Sequence, residues 1–172
     1  AAGSGVDDRP PGGGVDAYNA YLQGKFYLER RTQAGYLGAV GHFGDAVRID
    51  PGYAAAYAGL ARARTGLAAE ILSGDAQQQE YRQARVAAEK ALSLSPGLSI
   101  AHIASGELLF DADFDWRGAK REFQRALQLA PGDGDAMYHL GVANATLGQP
   151  SLGIGLTRRA LANDPLRARW YS

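Results

Sequence analysis

The chain reads as all-α, a solenoid of about four helix-turn-helix repeats, on three observations. Four prolines, Pro51, Pro96, Pro131 and Pro165, close the similar phrases AVRIDP, ALSLSP, ALQLAP and ALANDP and stand 45, 35 and 34 residues apart. Each has an alanine five positions earlier, Ala46, Ala91, Ala126 and Ala160, so a spaced pattern recurs and not one residue alone. The apolar residues between Trp116 and Pro131 (Trp116, Ala119, Phe123, Ala126, Leu127) fall at steps of three and four, which puts them on one helical face with the charges opposite. Self-similarity at such a period marks stacked hairpins that bury their faces against neighbours. Proline suits each junction because it cannot continue a helix and turns the preceding residue away from the α region.

In order, residues 1–15 (AAGSGVDDRPPGGGV) are Gly, Pro and Asp with almost nothing to bury, and read as a flexible linker. Their glycines follow no strand and precede no Lys-Ser/Thr, so they form no phosphate loop. Residues 16–172 read as one repeat domain, with repeats at about 16–51, 52–96, 97–131 and 132–165 and the start of a further helix at 166–172. In repeat one, Asp16 is a candidate N-cap for a helix carrying Tyr18, Tyr21, Leu22, Phe26 and Tyr27, and Gly24 lets the second helix approach. Thr32 caps that second helix, whose inner face is Tyr36, Ala39, Val40, Phe43, Ala46 and Val47. Gly35, Gly38, Gly41 and Gly44 interrupt it; at about 0.8–1.0 kcal/mol each they weaken the helix, or else leave a smooth face for another backbone.

Repeat two opens with Tyr53, Tyr57, Leu60 and Ala61 as its stripe, and its second helix is built on Tyr81, Ala84, Ala88, Ala91 and Leu92 from near Asp75 or Gln77. Its spacing exceeds 34 by 11, so both helices run a turn or two beyond their neighbours and join at Ser73-Gly74-Asp75. In repeat three Gly106 takes the place of Gly24. Repeat four pairs AMYHLGVANATLG with the poorer helix SLGIGLTRRALAND. The end, LRARWYS, resembles the first turns of another helix, so Leu156, Leu161 and Trp170 await cover from further sequence or a second copy.

Composition narrows the function. The formal net charge is zero, so no overall field draws the chain to nucleic acid or an anionic membrane. There is no cysteine, hence no disulfide and no thiolate chemistry. No apolar run approaches the roughly 18 residues of a membrane span, and no signal peptide or initiator Met opens the chain, which reads as a piece of a longer protein.

Candidate chemistry is thin. Asp111, Asp113, Asp115 and Glu122 match the outer spacing of a calcium loop, but Trp116 stands where its glycine belongs, so Asp115 reads as a helix cap. His42, His102 and His139 lie in different helices without a ligand at metal spacing. Asn144-Ala145-Thr146 is a formal glycosylation sequon inside a helix. Arg158, Arg159, Arg167, Arg169 and Trp170 form a basic and aromatic cluster that reads as a solvated helix end. No catalytic, metal or cofactor site emerges, and the expectation is a non-enzyme.

On Gly24, Tyr27, Ala39, Phe43, Ala46 and Pro51, and again on Gly106, Ala119, Phe123, Ala126 and Pro131, the chain resembles tetratricopeptide repeat (TPR) proteins. Repeat four departs from that pattern at Gly153 and Thr157, where Ala and an aromatic are usual. More narrowly, AYLQGKFYLERRT, IDPGYAAAYAGLARA and DFDWRGAKREFQRALQLAP resemble repeats at the C-terminal side of bacterial signalling proteins, where similar repeats follow winged-helix, adenylate cyclase or kinase domains. The resemblance implies a right-handed superhelix whose first helices line a concave groove. It places Tyr18, Tyr21, Lys25, Ala55, Ala58, Arg62, Ile103, Glu107, Phe110, Tyr138 and Val142 on that groove. This lining is aromatic and aliphatic with few charges, and it mostly lacks the Lys, Asn and Arg with which the family clamps acidic C-terminal peptides. The implied function is a protein-interaction scaffold, the sensory or assembly module of a larger regulator, with a protein or peptide partner and no direct nucleic-acid role. The alternative is homo-oligomerisation through the uncapped C-terminal end. A cytoplasmic setting is favoured, or a periplasmic one if the module hangs on a membrane-anchored regulator.

Overall fold

The computed structural model describes residues 9–12 and 14–163. They form eight helices, α1 (Val15–Leu28), α2 (Gln33–Ile49), α3 (Ala54–Glu70), α4 (Gly74–Leu94), α5 (Ser99–Asp111), α6 (Trp116–Leu129), α7 (Gly134–Thr146) and α8 (Pro150–Asn163), with no strand among the described residues. Consecutive helices pair as hairpins, each hairpin stacks on the next, and the first helices α1, α3, α5 and α7 also meet one another along one side. The result is an α-solenoid.

The proline signature has a concrete geometry. At each described junction the residue before proline leaves the helix with ψ of 95, 86 or 83° (Asp50, Ser95, Ala130), as proline requires. Its N–H still closes the last helical bond, to the carbonyl of the signature alanine: Asp50 to Ala46 at 2.9 Å, Ser95 to Ala91 at 2.9 Å, Ala130 to Ala126 at 2.8 Å. The chain then turns over Pro-Gly, with Tyr53, Leu98 and Asp133 donating back to those same pre-proline carbonyls at 3.0–3.1 Å. Each alanine is wholly buried, so a larger side chain there would separate the hairpins. Pro165, Arg167, Arg169, Trp170 and the rest of 166–172 lie outside the described residues, as do 1–8 of the expected linker.

Aromatic rings on the second helices lock into glycines on the first. Phe43 and Phe123 are each 1% exposed. A Cβ on Gly24 or Gly59 would stand 2.7 or 2.5 Å from the Phe43 ring, and one on Gly106 would stand 2.4 Å from Phe123. In repeat four Thr157 and Gly153 replace this arrangement, and the α7 and α8 backbones close directly, with the Gly153 carbonyl 2.9 Å from a Cβ built on Gly141. The four glycines of α2 divide. Gly35 and Gly38 lie hard against the Tyr27 carbonyl and the Tyr27 ring, whereas Gly41 and Gly44 face open space.

Three local expectations change. Gly14, not Asp16, stands at the α1 N-cap, and Asp16 lies in the first turn, where its charge complements the helix dipole. Thr32 and Asp115 do cap, accepting from Gly35 N–H at 3.1 Å and Gly118 N–H at 2.9 Å. Trp116, expected on the inner face, is 39% exposed because it opens α6 where the partner α5 has already ended at Asp111. The expected stripe of α3 is too narrow: Ala55, Ala56, Ala58, Ala61, Ala63 and Ala68 are all buried, since α1, α2, α4 and α5 enclose this helix and leave room only for small residues. Repeat two is the long one, with 17 and 21 residues against 13 and 14 in each hairpin after it. Arg64 pairs with Glu80, and the Gln77 amide donates to the Ala68 carbonyl at 3.0 Å, fastening the extension. Gly74, at φ 61°, makes the tight turn into α4.

Candidate functional site

The first helices α1, α3, α5 and α7 pack side by side, each against the next, along the face expected to line the groove. Of the residues expected on the groove from sequence, Tyr18, Lys25, Arg62, Phe110, Tyr138 and Val142 are half-buried. Tyr21 (1% exposed), Ala55 (5%), Ala58 (0%) and Ile103 (1%) are packed into the wall and present almost no side-chain surface to a ligand. Tyr21 lies within ring contact of Tyr18, Phe43 and Tyr53, which explains its burial, and Lys25 sits 5.5 Å over its ring.

Glu107 anchors the floor. Arg62 Nη2 and Nε donate to its Oε1 at 2.8 and 3.0 Å, Nε also to Oε2 at 3.1 Å, and Arg62 Nη1 reaches Asp135 Oδ2 at 3.1 Å. His139 Nε2 lies 3.0 Å from Glu107 Oε1. One guanidinium on α3 thus ties α5 to α7, a bidentate geometry that lysine could not reproduce. Burial alone would raise the Glu107 carboxyl, but Arg62 and His139 outweigh it and hold it at about 2. Toward the open ends of α1, α3 and α5, Arg31 pairs with Glu70, and Tyr36 also hydrogen-bonds Glu70, its phenol pushed up by burial and by that bond.

The expected aromatic and aliphatic lining with few charges therefore gives way to a charged floor beneath a partly apolar rim. Arg31, Glu70, Asp111, Asp135 and His139 were not among the anticipated groove residues. A signal for them exists in hindsight: Asp111 and His139 stand four residues from Glu107 and Asp135, and Glu70 stands eight from Arg62, so each shares a helical face with a residue of the floor.

The other candidate sites resolve into structure. Asp113 pairs with Arg85 at 2.7 Å, Asp115 caps α6, and Glu122 meets His102 Nδ1 at 2.8 Å, so the carboxylates of the calcium-like spacing point apart. Among the described residues no group of three or more His, Cys, Asp or Glu is placed to hold a metal, and no helix is long and apolar enough to cross a membrane. Asn144 of the sequon is buried and donates to the Leu140 carbonyl at 2.9 Å. Arg158 and Arg159 lie exposed on α8.

The fold is an α-solenoid of helical hairpins whose first helices are joined by a charged cluster. Solved structures of tetratricopeptide repeat proteins share this architecture. A thermophilic TPR protein of Thermus thermophilus, TTC0263, superposes with a TM-score of 0.73 at 18% identity, over 91% of this chain and 80% of that one. The first TPR domain of human RPAP3 gives 0.59 at 19% identity, over 79% and 95%. The first TPR of Spaghetti (RPAP3) bound to the HSP90 peptide SRMEEVD gives 0.55 at 19%, over 77% and 94%. No protein-family model matches the sequence and no curated protein matches it.

Proposed function

We propose that the chain is a non-catalytic scaffold that holds a protein or peptide segment along the concave groove, as the sensory or assembly arm of a larger bacterial regulator. The observation that carries this reading is the half-exposed rim of Tyr18, Phe110, Tyr138 and Val142 over a floor already fixed by Arg62, Glu107 and Asp135. A partner meeting such a surface finds apolar anchors on a preorganised support, which lowers the ordering cost of binding. The RPAP3 domain, which shares the fold, is a precedent for a peptide bound to this architecture. The regulator setting rests on the resemblance of the repeats themselves.

The test is selection of a displayed library of random peptides on the chain, followed by affinity measurements on the selected peptides with Phe110→Ala and Tyr138→Ala variants. Loss of about tenfold or more is expected, the cost of truncating an aromatic anchor. Affinity unchanged by both variants would refute the groove assignment. A second reading, self-association, is favoured by Leu152 and Ile154, 59% and 54% exposed on α8, and by the open backbone at Gly41 and Gly44. Sedimentation that shows only monomer at high concentration would overturn it.

A further inference from the structure

The floor contains four carboxylates, and three have a cationic partner. Glu70 holds Arg31, while Glu107 and Asp135 share Arg62. The Asp111 carboxylate has no ion pair or hydrogen bond among the described residues; only its main-chain carbonyl is engaged, accepting from the Tyr81 hydroxyl at 3.4 Å. It is half-buried, on the same face of α5 as Glu107 and within reach of Glu70's field. Asp111 and Glu70 are also the last residues of α5 and α3, where the helix dipoles present their negative ends. A partly desolvated carboxylate among like charges and two helix C-termini is a place where a cation gains and an anion loses.

Of the two guanidiniums beside these carboxylates, Arg62 is engaged by Glu107 and Asp135 and Arg31 by Glu70, so neither is left over for an acidic guest. Resting on the groove reading above, we propose that the groove's occupant is a segment bearing a basic side chain, Lys or Arg, whose charged head sits against Asp111 while neighbouring apolar residues cover Phe110 and Tyr138. Burial first, then the charges of Glu107 and Glu70, push the Asp111 carboxyl up to about 6 against the opposing pull of His139 and Arg31. The bound cation favours the ionised form, so docking releases a proton near that pH, and affinity rises as pH rises through about 6.

The experiment is the same random-peptide selection, run in parallel on the wild-type chain and on Asp111→Asn, with melts confirming that the variant folds. Peptides selected on the wild type are expected to carry Lys or Arg and to bind Asp111→Asn about tenfold more weakly or worse. Their affinity for the wild type should fall between about pH 7.5 and pH 5, and this dependence should be absent in the variant. Peptides that lack basic residues, or that bind both proteins alike yet still require Phe110 and Tyr138, would overturn the basic occupant while leaving the groove reading intact. Peptides indifferent to Phe110 and Tyr138, or a selection that retains nothing, would overturn both.

Discussion

Glutamate 107 offers a severe test of how the hairpins are held in register. Glu107→Gln keeps the side-chain shape but removes the charge that Arg62 grips through its 2.8 and 3.0 Å bonds and that His139 approaches at 3.0 Å. Both partners are deep, with Arg62 and Glu107 side chains 14% and 11% exposed, so the guanidinium cannot regain water when its partner is neutralised. Removing one member of a buried pair costs about 3–5 kcal/mol. Asp135 still holds Arg62 at 3.1 Å, which puts the expected loss at the lower end, about 3 kcal/mol. Urea denaturation at neutral pH reads this as a lower midpoint at similar slope. A companion variant, Arg62→Met with Glu107→Leu and Asp135→Asn, removes the charges together and should recover most of the loss, because apolar replacement of a buried network is close to neutral. The pH arm follows from the depressed carboxyl. Its stabilisation is fully present above the ordinary carboxylate value and disappears as pH falls toward about 2, so wild type and Glu107→Gln should converge in acid. A loss below about 1 kcal/mol, or a triple variant no more stable than the single one, would refute the claim that this network joins α3, α5 and α7.

Four further outcomes follow. Asp111→Asn should be the more stable protein at neutral pH by on the order of 1–3 kcal/mol, because its folded value of about 6 lies above the ordinary one. That advantage should shrink as pH falls from about 6 toward 4, and a destabilised variant in thermal melts at pH 7.5 would contradict it. Gly106→Ala places a Cβ 2.4 Å from the Phe123 ring and should cost about 1–2 kcal/mol despite the better helix propensity, whereas Gly41→Ala, in open space, should gain about 0.8–1 kcal/mol; equal effects in urea titration would show the ring packing to be misplaced. Phe123→Ala should cost about 3–5 kcal/mol by denaturant titration, and less than about 1 kcal/mol would mean the inward face of α6 is out of phase. Asp115→Ala removes the acceptor of Gly118 N–H and should cost about 1 kcal/mol, checked by the same titration.

The parts of the fold that could be read from sequence are those governed by neighbours a few residues away. The alanine and proline of each junction specify a helix end, because proline dictates the backbone before it and the last helical bond falls on the residue four positions earlier than that. Phe43 and Phe123 could be assigned to the core, and Gly24 and Gly106 to close approaches, from spacing alone, as could the Thr32 and Asp115 caps.

Burial was less legible than the core pattern. Helical phase suggested surface at Tyr21, Ala55, Ala58 and Ile103, which are buried, because whether a position at the edge of a face is wall or surface depends on how far the next hairpin leans over it. The charges were still less accessible. Arg62 meets Glu107 at 45 residues, the same position one repeat on, but the spacing does not reveal the contact, and Asp135 stands 73 residues away, which matches no repeat spacing. The sequence by itself determined a stack of hairpins, its junctions and its ring-in-glycine core, since these are properties of one hairpin repeated. Only the tertiary structure decided which carboxylates are paired and that the Asp111 carboxylate has no ion pair among the described residues, because electrostatic partners are chosen by the stacking angle between repeats and not by the chain within them.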